Sequence, residues 1–254
     1  MDRLAILARL DAERRCLARD GEIVEILSDV TRFSSTDDSH RAIVFSSLTA
    51  QTADAAIRRE IEYHRRLNAP FEWKLYAHDQ PPDLLQRLVR HGLEPGPREA
   101  VMTIDLADAP HWIEEMACDV RRVDRLEQIE DFRRVAEQVF DKNYAFTTGQ
   151  LADAIRGNST DHQGYVAYVN GQPASIGRLY THRDSFFGGL YGGGTVPAFR
   201  RQGLYRAVVA ARARDARKLG AKYLIVDALP TSEPILRQLG FEKISETWPC
   251  EARL

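Results

Sequence analysis

The chain has 254 residues, with 35 Lys and Arg against 37 Asp and Glu, a formal net charge of −2. Hydrophobic residues make up 44% and charged residues 28%, which excludes a disordered, collagen-like or disulfide-stapled protein. The near-neutral balance gives no basic footprint for nucleic acid, and no apolar run approaches the roughly 18 residues that cross a bilayer, so neither partner is expected.

Leu4, Leu7, Ala8 and Leu10 recur near helical spacing, and Asp20-Gly21 stops that first helix. Glu22 to Leu27 reads as a strand, followed by polar residues and a second strand from Arg41 to Phe45. Thr52 to Leu67 is a charged amphipathic helix and Phe71 to Tyr76 an aromatic-rich strand. A short helix from Leu84 to Arg90 ends at His91-Gly92, and Glu99 to Leu106 closes the first half as a strand. Ala107-Asp108-Ala109-Pro110 is small, polar and proline-bearing, which sets a boundary and predicts domains of residues 1–110 and 117–254, with a helical turn from Trp112 to Met116 between them.

The second half opens with a strand at Val120 to Val123 and helices at Leu126 to Phe140 and Thr148 to Arg156. Strands at Gly164 to Val169 and Ala174 to Tyr180 flank Asn170-Gly171, a strong hairpin signal. A strand from Phe186 to Thr195 is broken by Gly192-Gly193-Gly194. Then come a long helix (Gly203 to Leu219), a strand (Lys222 to Val226), a short helix (Glu233 to Leu239) and a last strand from Phe241. Both halves share the order strand, strand, long helix, strand, short helix, Gly, strand, and Leu88 to Glu94 parallels Leu236 to Glu242, so a duplication is expected.

Cys16, Cys118 and Cys250 are too far apart for a CxxC site, the histidines lack metal-ligand spacing, and no metal is expected. Interleaved charges near the N-terminus leave no secretory apolar region, which predicts a cytoplasmic protein.

The chemistry concentrates in Gly193 to Ala207, where a strand ends and a long helix starts. Helix starts leave backbone N–H groups unpaired and carry partial positive charge. Gly203 lets the backbone approach a ligand, and Arg200, Arg201 and Arg206 add charge, which together suit phosphate. The loop is neither a Walker loop nor a dinucleotide fingerprint. Gly192 to Gly194 read either as a bulge or as room beside a ligand.

On Arg200-Arg201-Gln202-Gly203-Leu204-Tyr205, with Leu239-Gly240-Phe241 after the short helix, the chain resembles the GCN5-related N-acetyltransferase (GNAT) family over about Val120 to Leu254. It departs at Tyr205, where the family has a small residue. The resemblance implies an α/β (α+β) fold with a mixed, mostly antiparallel sheet flanked by helices, in two tandem GNAT-like units. It also implies an N-acetyltransferase using acetyl-CoA as co-substrate. Amides from Arg200, Arg201, Gln202, Gly203, Leu204 and Tyr205 would hold the pyrophosphate. Gly193, Gly194 and Thr195 would pair with the pantetheine arm.

The implied reaction is direct attack of an amine on the thioester. Leu236 stands where the family places an acidic Tyr, and it cannot donate a proton. Asp227 at a strand end and Tyr191 before the glycine run are the candidates for proton transfer or substrate contact, against the readings of turn residue and packing residue. Glu137 and Tyr144 are candidates to line the acceptor pocket, while Thr231 and Ser232 read as helix caps. The first half has Ser47 to Asp54 where Arg-x-x-Gly would stand, so it is expected to be a degenerate unit without a cofactor loop. The expected partner is a small-molecule or peptide amine acceptor, with a homodimer left open. A non-catalytic acyl-CoA-binding module is the alternative.

Overall fold

The computed structural model describes residues 2–18, 21–36, 39–115 and 118–253. Asp20, Met116 and Ala117, which mark a helix stop, a turn and a domain start in the sequence, lie outside the described residues. The elements of the first stretch are α1 (Arg3–Cys16), β1 (Glu22–Ile26), β2 (Val30–Ser35), β3 (Arg41–Ser46), α2 (Ala53–Arg66), β4 (Phe71–Tyr76), α3 (Leu84–Arg90), β5 (Glu94–Pro95) and β6 (Glu99–Asp105). There follow β7 (Asp119–Val123), α4 (Ile129–Phe140), α5 (Ala145–Gly157), β8 (His162–Val169), β9 (Gln172–Tyr180), β10 (Phe187–Thr195), α6 (Leu204–Lys218), β11 (Tyr223–Ala228), α7 (Glu233–Gln238) and β12 (Glu242–Ala252). Among the described residues no helix is long and apolar enough to cross a membrane.

Two compact units form: one of Met1–Met102, Asp227–Leu236 and Glu242–Leu254, the other of Thr103–Val226 and Arg237–Phe241. This division differs from the expected 1–110 and 117–254. The reason is backbone pairing: Thr247 to Ala252 of β12 run antiparallel along Tyr76 to Phe71 of β4, so the last strand clusters with the first unit.

In the first unit β1, β2 and β3 pair antiparallel, and β3 pairs parallel with β4. A parallel pair needs a crossover, which α2 supplies. Trp73, Ile43, Ile57, Leu84 and Leu88 fill the core beneath α2 and α3. Cys250 packs in the same core, and burial pushes its thiol up to about 12, which fits an inert packing role.

Between Leu27 and Arg41, where only polar residues are expected, Val30–Ser35 form β2. Its charge misleads. Arg32 is buried, donates from Nε to Glu60 Oε2 at 2.7 Å, and lies over the Tyr63 ring. A buried ion pair puts charge on a face that periodicity assigns to apolar residues.

In the second unit β7 to β10 form an antiparallel meander, and β10 pairs parallel with β11 through the α6 crossover. Asn170 (φ 50°) and Gly171 (φ 78°) make the two-residue hairpin turn between β8 and β9, as expected. Successive strand residues face opposite sides. Ile176 of β9 joins Phe132 and Val135 of α4 and Leu151 of α5 in one core, while Gly177 lies against Arg212 of α6. Each unit is thus mixed α/β with mostly antiparallel pairing and helical flanks, as the resemblance implies.

His64 of α2 is buried, stacks on Phe71 at 4.0 Å and bonds the Glu60 carbonyl through Nδ1 at 2.9 Å. Burial holds its pKa below 6.5, so it is neutral when folded and the unfolded chain binds more protons as pH drops. The stability it contributes is complete above pH 6.5 and is lost as pH falls towards the folded pKa. The urea midpoint is expected to fall from pH 7.5 to 5.5, and less so in His64→Phe. An equal fall in both proteins rejects the assignment.

Candidate active site

The site begins with a strand that loses a neighbour. β10 pairs with β11 only at Phe187, Gly188 and Gly189, yet continues to Thr195 against β9. Along β9 its register slips: Tyr191 faces Arg178, but Gly194 faces Ile176. One extra residue in β10 makes this a bulge, and Gly192 takes a left-handed φ of 53° there. A Cβ on Gly194 would collide with Val139 of α4, and one on Gly193 would stand 3.0 Å from Tyr205 Cε2. The glycine run is therefore a bulge packed tightly on both faces.

After β10 a short turn of helix (Pro197–Phe199) leads to α6. Gly203 is the α6 N-cap at φ 78°, a conformation costing an L side chain roughly 1–2 kcal/mol, and no side chain caps the helix. Its first N–H groups are therefore open to an external acceptor. Arg200, Arg201, Gln202 and Gly203 are exposed, with Arg200 Nε donating to the Thr195 carbonyl at 3.2 Å. Leu204 is buried, and Arg206 is engaged by Glu115 at 2.7 Å and by the Trp112 ring. The Tyr205 ring lies against Gly193, and burial raises its pKa. Ser175 Oγ bonds Thr195 Oγ1 at 2.8 Å, fixing the end of the strand.

The corresponding helix start in the first unit also has no side-chain cap, and differs in its charge. Thr49 N–H donates to Thr52 Oγ1 at 2.9 Å, and the first turn of α2 carries Asp54, held by Arg87 and His91. An acid there opposes a phosphate.

The two catalytic candidates fall in different units. Asp227, in the first unit, pairs with Lys74 at 2.9 Å, and Glu99 lies 3.3 Å from the same ammonium. Burial pushes the Lys74 pKa down, but Asp227 and Glu99 more than reverse it, holding it well above the ordinary lysine value. Asp227 therefore has a structural partner that sequence reading did not supply. Leu236 is fully buried, so the acid expected by family analogy has no substitute at that position. Ser232 donates to the Leu229 carbonyl at 3.1 Å, closing a turn.

In the second unit Tyr191 is exposed and its ring lies 4.7 Å from Tyr180. Tyr144 stacks on Phe140 at 5.5 Å, while Glu137 is bound to Arg133 at 2.9 Å. Two arginines that motif reading passes over stand nearest the bulge. Arg178 of β9 donates to the Tyr180 hydroxyl, and an added Cβ on Gly192 would lie 3.2 Å from its Nε. Arg212 of α6 is buried over Gly177 and donates to the Arg178 carbonyl at 3.0 Å. Burial pushes the Arg212 pKa down to about 10, with the Arg178 charge adding to the fall. The available signal for Arg178 was a lone charged residue inside the strand run Ala174 to Tyr180.

One carboxylate-histidine group, Asp11, His78 and Asp79, lies in the first unit. Arg14 bonds both carboxylates, at 2.7 and 3.1 Å, and supplies the positive charge there.

Gly194→Ala is expected to overpack against Val139 and destabilise the fold by about 1–3 kcal/mol in urea denaturation; an unchanged midpoint refutes the close approach. Asp227→Asn leaves Lys74 with Glu99 alone. It should cost about 1–2 kcal/mol, less than a fully buried pair because a second carboxylate remains. No loss of stability would free Asp227 for chemistry.

Residues 128–250 match the family model described as an acetyltransferase (GNAT) domain. A comparison with curated proteins gives no match. Among solved structures, a GCN5-related N-acetyltransferase from Kribbella flavida superposes with a TM-score of 0.70 at 15% identity, covering 99% of this chain and 94% of that one. A conserved protein of unknown function from Staphylococcus epidermidis gives 0.65 at 15% identity, over 92% and 95%. A tandem GNAT protein of the clavulanic acid biosynthesis pathway gives 0.62 at 11% identity, over 93% and 84%. At these identities the structures speak for the fold, and the family match speaks for the domain. Residues 128–250 of this chain thus match an acetyltransferase (GNAT) domain, and the chain shares the fold of solved GCN5-related N-acetyltransferases.

Proposed function

We propose that this chain transfers an acetyl group from acetyl-CoA to a primary amine of a small molecule or peptide by direct attack. The observation carrying the reading is the uncapped start of α6, with exposed Arg200, Arg201 and Gly203 beside a strand that has lost its neighbour. The N–H groups of residues 201–205 and the helix dipole would hold the pyrophosphate, with the Arg200 N–H already donating to the Pro197 carbonyl at 3.3 Å and its side chain adding charge. The unpaired edge of β10 at Gly193, Gly194 and Thr195 offers backbone groups to the pantetheine amides, as an added strand does. Acetyl-CoA supplies the thioester.

A primary amine is mostly protonated at neutral pH and must first lose a proton to a base or water chain. Its nitrogen then bonds the acetyl carbonyl carbon, the carbon–sulfur bond breaks, and the thiolate leaves and takes a proton. Positioning supplies most of the acceleration in such a scheme. Tyr191 is retained as the residue contacting the amine. Asp227 is not assigned the base's role in this reading, because taking a proton would break its pairing with Lys74. In the same proposal the first unit binds no cofactor, since its helix start carries Asp54, and the protein works in the cytoplasm with its three cysteines as free thiols.

The second reading is an acyl-CoA-binding module without chemistry, favoured by the fully buried Leu236. Thermal unfolding with acetyl-CoA, free CoA and ATP tests the binding they share. At about 100 times Kd a ligand that binds only the folded state adds roughly 2.7 kcal/mol. Acetyl-CoA should raise the Tm and ATP should not, and Gly203→Val should abolish the rise while the protein stays folded. No rise at millimolar acetyl-CoA rejects both readings. Thiol release on adding amines, reduced in Tyr191→Phe, separates the enzyme from the binding module.

A further inference from the structure

We infer that Arg178 is an anion anchor in the acceptor site, so that the amine accepted by this enzyme also carries a carboxylate. The inference rests on the acetyl-transfer reading above and deepens it.

The first observation is an imbalance of charge. Buried guanidiniums of the first unit are neutralised: Arg14 by Asp79 at 3.1 Å, and Arg32 by Glu60 at 2.7 Å. Arg178 and Arg212 have no carboxylate partner among the described residues. Arg212 spends its hydrogen bonds on the carbonyls of Val208 and Arg178. Arg178 makes one bond, to the Tyr180 hydroxyl, and its Nε is buried with no partner. A buried donor left unpaired is costly, and a cation more so. Two such cations close enough to repel each other leave a region that favours a negative group.

The second observation is location. Arg178 shares the β9 face of Ile176, which packs on α4, and its charge reaches Tyr144 just before α5. It stands opposite Tyr191 in the bulge register and beside Gly192. α6 packs on the other face of β9 through Arg212 on Gly177, and its first turn lies on that same side, since a Cβ on Gly193 would meet both Tyr205 and Arg212. The phosphates assigned to the α6 start are thus on the opposite face from Arg178, which leaves its charge for a second ligand. The Tyr180 ring lies 5.3 Å from its guanidinium and the Tyr191 ring 4.7 Å from Tyr180, and these rings can cover a small organic body.

The chemistry agrees with the reaction. A guanidinium binds a carboxylate through paired, charge-assisted hydrogen bonds. The same positive field disfavours the ammonium form of the acceptor and so helps it reach the nucleophilic amine.

The test uses thiol release from acetyl-CoA with matched pairs of amines: glycine and glycinamide, β-alanine and β-alaninamide, and L-amino acids with their carboxamides. The free carboxylates should react with kcat/KM about 10- to 100-fold above their amides, the scale of one charged hydrogen bond. Arg178→Gln should erase that preference mainly through KM, while the acetyl-CoA thermal shift persists and reports an intact fold. Thermal shifts with N-acetylamino acids against their amides, in the presence of CoA, read the same preference without turnover. Equal rates and equal shifts for carboxylate and amide overturn the inference, as does a preference that survives in Arg178→Gln. Absence of selective turnover and of selective stabilisation together also overturns it. An absent acetyl-CoA shift defeats the underlying transferase reading instead, so the two failures are distinguishable.

Discussion

β10 leaves β11 after Gly189, and a strand that loses a neighbour must find other partners for its backbone. On one side β9 still serves, with a bulge at Gly192 that absorbs the change in direction. On the other side the groups stay open. Val139 from α4 and Tyr205 from α6 press against the glycines that follow, and side chains there would push both helices off the sheet. The α6 start, with a left-handed Gly203 and no side-chain cap, is the next feature along the chain. One interrupted pairing therefore governs where the open edge lies, why glycines occupy it, and which helix end adjoins it.

The two units share a plan and differ at one helix start. Both use a parallel strand pair with a long crossover helix, α2 in one and α6 in the other. In the second unit the helix begins at a left-handed glycine with arginines before it. In the first it begins with threonines that bond each other and an aspartate held by Arg87 and His91. Backbone architecture is common to both, and a handful of side chains at one helix end sets the sign of the local field.

What was legible in the sequence was local. Asn170-Gly171 announced its hairpin because a two-residue turn needs positive φ at both positions. Gly203 announced the start of α6, because a left-handed turn there favours glycine. β2 was hidden because Arg32 finds Glu60, far along the chain, and sits in the interior as a neutral pair. The partner of Asp227 was hidden for the same reason: Lys74 meets it only in the folded unit. Arg178 and Arg212 carry no motif at all, and their significance comes from the absence of carboxylates around them among the described residues. Tertiary partnership decides such residues, and spacing along the chain does not encode it.

The pairing of β12 with β4 bears on how the protein is made. Thr247 donates from its hydroxyl to the Leu75 carbonyl, 172 positions away, and the core of the first unit includes Cys250 and Ala252. On the ribosome, β4 emerges long before its neighbour exists, and its edge stays open while the second unit is synthesised. Translation order and folding order are therefore decoupled: the unit that contains the first hundred residues is the last to close. Nascent chains of this architecture carry an unpaired strand edge for most of their synthesis, a window in which chaperones or aggregation can compete with the native partner.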